Sequence, residues 1–287
     1  MESNLSSTSV STKKSAPVQT NWSRIGGYLI LLVFTFIYLG PLLMLVNTSF
    51  KTQSSFMRNA TTPATTLNLD NFVEAWNKAN FPKYLTNSVL YTVAATTIFV
   101  ITSVFVAFPI ARGYIRGGNL LFTLFLIALF LPPGLIPQYQ MMLRLGLYNN
   151  QLGYILLFVS NALGIIILVN YIKSIPRELD EAAAMDGCGY FRFVIFIIFP
   201  LIRPAIATVI VIHAIGIWNE LILPTIYLSN QNFYPITRGL IAFQGVYGNN
   251  WPEMAAAVLI MAIPMVIFYL FLQRYIISGL TQGSVTG

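Results

Sequence analysis

Six apolar runs, each long enough to cross a membrane as a helix, alternate with polar segments along this sequence of 287 residues. About 20 apolar residues in a helix reach across the hydrocarbon core of a bilayer. The predicted spans are Ile25–Val46, Thr86–Ala111, Asn119–Leu143, Leu152–Tyr171, Pro204–Leu223 and Pro252–Leu272. The pattern therefore predicts an all-α, polytopic membrane protein with six transmembrane helices.

Two of these spans carry prolines that affect their geometry. The first is too long for a signal peptide and no small-residue cleavage site follows it, so it is expected to remain, with Pro41 kinking its far end. In the third span, Pro132-Pro133-Gly134 and Pro137 predict a break whose freed backbone groups need partners. Both a bent packing helix and the lining of a gate are compatible with this break.

The longer polar segments also show patterns. Within residues 48–83, Phe72, Val73 and Trp76 lie among charged residues, which predicts an amphipathic segment at the membrane interface over residues 71–84. A second polar and aromatic loop of 28 residues follows the fifth span, at 224–251.

Composition supports a membrane protein. Hydrophobic residues make up 56% of the chain and charged residues only 9%, whereas soluble domains carry about 25% charged residues. The net charge of +7 comes from basic residues beside apolar spans, which usually set topology, and no basic patch with interleaved aromatics predicts a nucleic-acid partner. The single cysteine, Cys188, excludes an internal disulfide and is interpreted as a small packing residue.

Charge also predicts orientation. Six spans place both termini on one side, and with the N-terminus inside, ten Lys and Arg residues fall inside and six outside. The positive-inside rule favours this arrangement, a multi-pass protein of the cytoplasmic membrane with both termini cytoplasmic. The predicted divisions are a disordered tail (1–23), a first helix with an interfacial segment (24–83), the main transmembrane domain (84–275) and a cytoplasmic C-terminal tail (276–287).

One polar island, 173–203, interrupts the apolar pattern on the predicted cytoplasmic side. Pro176 suits the first turn of a helix, acidic residues follow where the helix dipole favours them, and Gly187 is a natural stop, which predicts a helix of about 11 residues. An apolar arm, Tyr190–Phe199, then leads through Pro200 into the fifth span. We expect the helix, the arm and the span to transmit a displacement as one lever.

The island also carries a specific spacing: Glu-Ala-Ala at 181–183, three residues, Gly187, nine residues, then Ile197, one residue, Phe199 and Pro200. This spacing resembles the cytoplasmic EAA loop of ABC importer permeases, with Phe199 replacing the usual Leu. Further stretches resemble the permease subunits of carbohydrate ABC importers, the maltose-transporter type: FPLIRPAIAT, GIWNELILP, LIAFQGVYG and LQRYIISGLTQGSVTG. The resemblance implies the type I ABC importer fold.

The resemblance also implies roles for individual residues. In that family the EAA helix is a coupling helix that docks on an ATPase subunit, the C-terminal tail reaches the ATPase dimer, and the loop before the last span faces a sugar-binding protein. The implied coupling residues are Glu181, Ala182, Ala183, Asp186, Gly187 and Pro200. The implied ATPase-contacting tail residues are Ser278, Gly279 and Gly283, and the implied loop residues are Phe243, Gln244, Gly245 and Tyr247.

The partners follow from the same resemblance. It implies a second, homologous but non-identical permease, two cytoplasmic ATPases and an extracytoplasmic sugar-binding protein, with a homodimer of this chain as the alternative pairing. ATP and Mg²⁺ would be bound by the ATPases. We expect no cofactor or metal in this chain and no enzymatic activity of its own, because the sequence offers no nucleophile-and-base set, metal-ligand cluster or phosphate-binding glycine loop.

Ionisable residues within the fifth span are candidates for a substrate pathway. His213 and Glu220 are seven residues apart, which would place them on one helix face about 10 Å apart. With their neighbours they form the predicted pathway set: His213, Trp218, Asn219 and Glu220. The alternatives are a hydrogen-bonded packing role for His213, an interfacial cap for Glu220 and a membrane-interface anchor for Trp218.

The predicted function is that of a permease subunit of an ATP-driven sugar or oligosaccharide importer. Two charged groups in one span are too few for a proton relay, which disfavours an ion-coupled transporter or channel. A membrane-embedded enzyme lacks a catalytic constellation, and a permease for another solute, such as a glycerol phosphate ester, remains as an alternative within the ABC class. The sugar itself is not identified by the sequence.

Overall fold

Helices make up most of the computed structural model, which describes residues 21–78, 80–245 and 248–282. The α-helices are α1 Asn21–Ser49, α2 Gln53–Arg58, α3 Asp70–Lys78, α4 Phe81–Arg112, α5 Gly118–Ala128, α6 Leu135–Arg144, α7 Gln151–Leu156, α8 Ala162–Lys173, α9 Glu178–Met185, α10 Tyr190–Phe193, α11 Phe199–Leu201, α12 Arg203–Trp218, α13 Ile222–Tyr227, α14 Ile236–Gly239 and α15 Trp251–Gln282. A π-helical turn, Val194–Ile198, joins α10 to α11, and two 3₁₀ turns occur at Gln231–Phe233 and Leu240–Phe243. The helical fold class is confirmed.

The predicted loop at 224–251 is not irregular. It contains most of α13, both 3₁₀ turns and α14, and it ends in two short strands, β1 Gln244–Gly245 and β2 Gly248–Asn249. The strands pair antiparallel, with Gln244 opposite Asn249. The prediction of a plain loop here is wrong, since Pro224 falls inside a helix and Asn230 caps a 3₁₀ turn by accepting from the Asn232 N–H at 3.0 Å.

Three described helices are long and apolar enough to cross a membrane: residues 24–49, 81–112 and 251–271. A fourth candidate is a bent pair, Tyr190–Leu201 with Arg203–Trp218, whose axes differ by 80°. The predicted third span is divided into α5 and α6 at its proline-rich break, as expected. The last helix continues past the predicted end at Leu272 as far as Gln282, since no proline interrupts it there.

The predicted fourth span is also divided, which the sequence analysis did not expect. The helix α7 ends at Leu156 and α8 begins at Ala162. Asn161 accounts for the new start, because its side-chain oxygen accepts a hydrogen bond from the Gly164 N–H at 3.0 Å. A capping asparagine inside an apolar run thus replaces one continuous span with two shorter helices.

The chain divides into two units, residues 1–45 and 46–287. In the first, α1 runs through Pro41, and most of its apolar side chains are exposed. Residues 1–20 of the predicted disordered tail lie outside the described residues, and helix begins at Asn21, inside the predicted tail.

In the second unit, α4 packs closely against α8 and α12. Their shared core includes Phe99 and Val104 of α4, Leu168 of α8 and Val209 of α12. At Gly164 a Cβ atom would lie 2.6 Å from the Phe99 ring, so the absence of a side chain permits this approach of α8 to α4.

The segment between α1 and α4 is ordered by buried polar groups. Lys51 is only 2% exposed, and its ammonium group donates to the carbonyl oxygens of Asn59 (2.9 Å) and Ala60 (3.0 Å) and to the Thr62 hydroxyl (3.3 Å). The Asn71 amide of α3 donates to the Lys51 carbonyl oxygen at 2.8 Å. The predicted amphipathic segment, 71–84, contains most of α3 and the first residues of α4, and its place at a membrane interface stays a prediction. These contacts fix the chain that leads into α3.

Candidate coupling helix and membrane surface

The EAA stretch forms the helix α9, which has eight residues rather than the predicted 11 or so. Gly187 ends it with a left-handed φ of +69°. The Gly187 N–H donates to the Ala184 carbonyl oxygen at 3.0 Å and the Cys188 N–H to the Ala183 carbonyl oxygen at 2.9 Å, which together form a Schellman motif. The predicted helix stop at Gly187 is confirmed.

One side of α9 packs against the protein and the other side is exposed. Ala183 is buried within the core that α4 and α8 share, and half-buried Cys188 packs against the same core. Glu181 and Ala182 are exposed, and Met185 is 89% exposed. The helix therefore presents a charged, small and apolar surface that no other described residue of this chain covers.

A buried ion pair fastens α9 to the end of α4. The Arg112 guanidinium contacts both carboxylate oxygens of Asp180, with Nε–Oδ2 at 2.8 Å and an NH2–Oδ1 hydrogen bond of 2.9 Å. Both side chains are more than 90% buried. The Tyr114 hydroxyl donates to Asp180 Oδ2 at 2.8 Å, and Arg112 also donates to the Ile175 carbonyl oxygen at 2.8 Å. We call Arg112, Asp180 and Tyr114 the Arg112 clamp.

The helix α10, which follows α9, also attaches to α4. Pro109 has no N–H, so the Phe105 carbonyl oxygen lacks its helical donor. The Tyr190 hydroxyl of α10 donates to that oxygen at 3.3 Å. The Phe108 ring lies against the Phe193 ring, with centroids 5.6 Å apart. The cytoplasmic end predicted for α4 thus carries contacts from both α9 and α10.

The path from α9 to α12 is not one straight lever. After α10 the chain forms the π-helical turn and α11, which contains Pro200, and then bends by 80° at Ile202 before α12. Ile202 leaves the regular helical conformation, with φ −93° and ψ 12°. Arm and span are therefore not one continuous helix, because the π-helical turn and the bend interrupt the regular hydrogen-bond ladder. The expectation that they transmit a displacement together stays a prediction.

A mainly apolar groove runs along α4, α11 and α12. Its first part has a volume of about 500 Å³ and its second about 390 Å³. The first part is lined by Ile101, Phe105, Ile195, Phe199, Pro200, Arg203 and Ile206. Ile101, Phe199 and Ile206 also line the second part, so the two cavities are continuous. The predicted coupling residue Pro200 lines the first part of this groove and is not part of α9.

His213, also on α12, is buried. Its Nε2 lies 2.9 Å from the Phe158 carbonyl oxygen and its Nδ1 lies 3.2 Å from the Thr96 hydroxyl. The ring stacks on Phe99 with centroids 4.3 Å apart. Both nitrogens are used within this chain, so the geometry matches the packing alternative for His213.

Glu220 does not share a helix face with His213, and that expectation is wrong. The helix α12 ends at Trp218, and Glu220 follows the helix. Its carboxylate accepts from the N–H groups of Ile222 (2.8 Å) and Leu223 (3.1 Å), at the start of α13. The neighbouring Asn219 amide donates back to the Ile215 carbonyl oxygen at 3.1 Å. This geometry matches the capping alternative.

Trp218 and Phe243 are brought into one buried cluster, at 4% and 2% exposure. The Trp218 indole N–H donates to the Met261 carbonyl oxygen at 3.3 Å. The Lys78 ammonium lies 5.8 Å from the centre of the Phe243 ring. Trp218 also lines a small cavity of about 160 Å³ beside α15. Phe243 therefore contacts this chain's own core.

The other predicted loop and tail residues lie in β1, in α15 or outside the described residues. Gln244 and Gly245 form β1, and Ser278 and Gly279 belong to α15. Tyr247 and Gly283 lie outside the described residues.

Several contact residues were not identified from the sequence. Arg112 was considered only among the basic residues that set topology, and Asp180 only among the acidic residues that the helix dipole favours. The two residues are 68 positions apart, so no local sequence pattern indicates that they pair. At the other end of α4, Asn87 donates to the carbonyl oxygens of Asn232 (2.8 Å) and Tyr234 (2.9 Å), and the Tyr91 hydroxyl donates to that of Phe233 (2.8 Å).

The long apolar helices and the exposed, glycine-terminated α9 define a membrane subunit of a transporter. Residues 18–282 match the family described as "Binding-protein-dependent transport system inner membrane component", so the chain belongs to that family.

Relatives with similar sequences match this chain over nearly their whole length. The melibiose/raffinose/stachyose import permease protein MelC of Bacillus subtilis is 32% identical over 86% of this chain and 91% of that protein. The arabinooligosaccharides transport system permease protein AraQ of Halalkalibacterium halodurans is 30% identical over 96% of this chain and 99% of that protein.

A solved structure confirms the fold. The chain resembles a crystal structure of a bacterial ABC transporter that imports the acidic polysaccharide alginate, with a TM-score of 0.82 and 23% sequence identity. The match covers 91% of this chain and 99% of that one. The fold is therefore that of an ABC importer permease.

Proposed function

We propose that this chain is the permease subunit of an ATP-driven importer that moves an oligosaccharide across the cytoplasmic membrane. The observation that carries the proposal is α9, which is fixed to α4 on one side and exposes Glu181, Ala182 and Met185 on the other. A partner that docks on this surface can move the transmembrane helices. Relatives that are named as importers of melibiose, raffinose, stachyose and arabinooligosaccharides support a small oligosaccharide as cargo.

The proposed membrane topology has six spans with both termini in the cytoplasm. α5 with α6, and α7 with α8, would each cross as a divided span, which membranes tolerate where the broken backbone is covered by protein or lines a cavity. This topology places α9 in the cytoplasm. The proposed divisions remain the main domain at 84–275, the N-terminal segments 1–23 and 24–83, and the C-terminal segment 276–287.

The proposed complex contains a second, non-identical permease, two ATPases and an extracytoplasmic sugar-binding protein. ATP and Mg²⁺ bind to the ATPases in this scheme, and this chain contributes no catalytic residue. ATPase closure pulls on α9, and the bundle of α4, α8 and α12 passes the displacement to the substrate path. Support for the binding protein comes from the family description and from a second alginate-transporter structure, in complex with a periplasmic protein, with a TM-score of 0.63.

The test is uptake by proteoliposomes that contain the complete complex, with a panel of oligosaccharides and glycerol phosphate esters offered through the binding protein. We expect an oligosaccharide to stimulate ATP hydrolysis and to accumulate inside. Ala182→Trp, on the exposed face of α9, should abolish stimulation and uptake together. Arg144→Gln, an exposed charge on α6, is the matched control and should leave both unchanged.

Other outcomes identify other functions. Uptake without the ATPases would show an ion-coupled carrier, and uptake of a glycerol phosphate ester alone would show a different cargo. Transport by a complex that contains this chain as its only permease would show the homodimer.

A further inference from the structure

The connection between α9 and the membrane bundle runs through two routes of very different construction. One route is the Arg112 clamp, in which one guanidinium group joins α4 to α9. The other route is the chain itself, through Gly187, the π-helical turn and the 80° bend. The first route is short and buried, whereas the second contains three interruptions of regular helix.

The clamp fixes the direction of α9 as well as its position. The Arg112 guanidinium donates one hydrogen bond to Asp180 Oδ1, and its Nε lies 2.8 Å from Oδ2 as an ionic contact, so two atoms of each group are held together. Arg112 holds the residues before α9 too, through the carbonyl oxygens of Ile175 (2.8 Å) and Pro176 (3.4 Å). The start of α9 therefore cannot rotate relative to the end of α4 without breaking several charged hydrogen bonds at once.

The contacts of α10 strengthen the same connection. Tyr190 bonds the Phe105 carbonyl oxygen that Pro109 leaves free, and Phe193 packs on Phe108. No comparable polar link joins α9 to α12 among the described residues. The interrupted segment 194–202 is thus the place where α12 can change its angle to α9.

We propose that Arg112 and Asp180 are positioning residues that make α9 and α4 one rigid body, and that α12 follows this body through a hinge at residues 194–202. A displacement of α9 is then delivered first to α4. This inference rests on the proposed function, since it assigns the route by which the docked ATPase moves the bundle.

Distances between spin labels in the complete complex test the proposal. Cys188→Ser provides a background without a native thiol, and pairs of cysteines then carry the labels. One pair is Leu179 on α9 with Val106 on α4, and the other is Leu179 with Ile212 on α12. Leu179 is not among the α9 residues assigned to the docking surface, and all three positions are exposed, at 39%, 40% and 41%.

We expect the Leu179–Val106 distance to be the same without nucleotide and with ATP plus orthovanadate, while the Leu179–Ile212 distance shifts. A shift in the first distance, or none in the second, overturns the proposal. Wild-type complex that shows no sugar-stimulated ATPase would instead overturn the proposed function, before any distance is measured.

Variants separate coupling from folding. Asp180→Asn and Arg112→Gln should broaden the distribution of Leu179–Val106 distances, and ATP hydrolysis should continue while most sugar uptake is lost. Arg112→Lys keeps the charge without the two-oxygen geometry and should fall between wild type and Arg112→Gln. Arg116→Gln removes an exposed charge four residues further on and should match wild type. Uptake that falls only in proportion to the amount of assembled complex would show a merely structural role and refute the proposal, and the wild-type distances remain decisive if a variant does not assemble.

Discussion

His213 Nε2 donates a hydrogen bond to the carbonyl oxygen of Phe158, 2.9 Å away, at the point where α7 has ended and α8 has not begun. This oxygen lies inside the apolar region, where an unpaired carbonyl group is costly. The His213 imidazole, on α12, thus supplies the hydrogen-bond donor that a backbone N–H of a continuous helix would otherwise provide. The contact assigns the hydrogen to Nε2 and leaves Nδ1 to accept from the Thr96 hydroxyl at 3.2 Å.

Replacing His213 should therefore affect stability more than transport. His213→Phe keeps a ring against Phe99 but leaves the Phe158 carbonyl oxygen unpaired, which we expect to lower the free energy of unfolding by about 1–3 kcal/mol. Denaturant titration of the purified protein in detergent, followed by circular dichroism, measures the loss. His213→Gln can still donate, and we expect it to retain uptake. Undiminished stability of His213→Phe would contradict this interpretation.

Gly187 should tolerate substitution according to backbone preference and not according to size. A Cβ at this position meets no atom within 4 Å, so only its φ of +69° opposes a side chain. Gly187→Val should cost about 1–2 kcal/mol or more and uncouple ATP hydrolysis from uptake, while Gly187→Asn should be close to wild type.

The nearby Gly189 is the matched control for Gly187, because it also has open space but a φ of −70°. Gly189→Val should leave the ratio of uptake to ATP hydrolysed unchanged. Equal effects at the two glycines would refute the assignment of a left-handed helix stop to Gly187.

Lys51 should control the order of the segment between α1 and α3. Lys51→Met removes charged hydrogen bonds to the carbonyl oxygens of Asn59 and Ala60, each worth about 1.5–3 kcal/mol. We expect trypsin, which cleaves after Arg58, to cut the variant faster than wild type. Lys83→Met, an exposed lysine at the start of α4, is the control and should not change cleavage there.

Glu74 should make the packing of α3 on α15 sensitive to pH. Its pKa is raised above the ordinary value of 4.5 by a hydrogen bond to Glu253 and by repulsion from that carboxylate, which itself contacts the Lys78 ammonium at 2.8 Å. A raised pKa means that the folded protein holds this proton more tightly than the unfolded chain. Stability should therefore fall as the pH rises from about 4.5 through the raised pKa.

Glu74→Gln should remove this part of the pH dependence and raise the apparent melting temperature near pH 7. Thermal unfolding of wild type and variant between pH 4 and pH 7 provides the comparison. If the melting temperatures of wild type and variant change with pH in the same way, a proton shared between Glu74 and Glu253 is excluded.

Local sequence signals were sufficient to predict the helix α9 but not the residues that attach it to α4. Gly187 ends α9 by a conformation that glycine adopts without strain, so its role could be predicted from one residue. The partner of Asp180 could not be predicted in this way, because a buried ion pair between α4 and α9 depends on how two distant segments pack. The same limit applies to Phe243, which was placed in an exposed loop but is buried against Phe81 and Trp218.

Helix lengths were predicted less well than helix positions. Apolar content identifies a membrane segment, but it does not show where the hydrogen-bond ladder is interrupted. Within the fourth span α7 ends at Leu156, and Asn161 caps a new helix, α8. The π-helical turn lies in the apolar stretch 194–198, which neither period nor composition distinguishes from ordinary helix.

The bonds at the far end of α4 have a consequence for how such permeases diverge. Asn87 and Tyr91 hold residues 232–234 through main-chain carbonyl oxygens only. Every amino acid supplies the same carbonyl group, so these three hydrogen bonds do not depend on which side chains residues 232–234 carry. Substitutions at exposed positions of the loop can therefore change its surface while Asn87 and Tyr91 still bind its backbone.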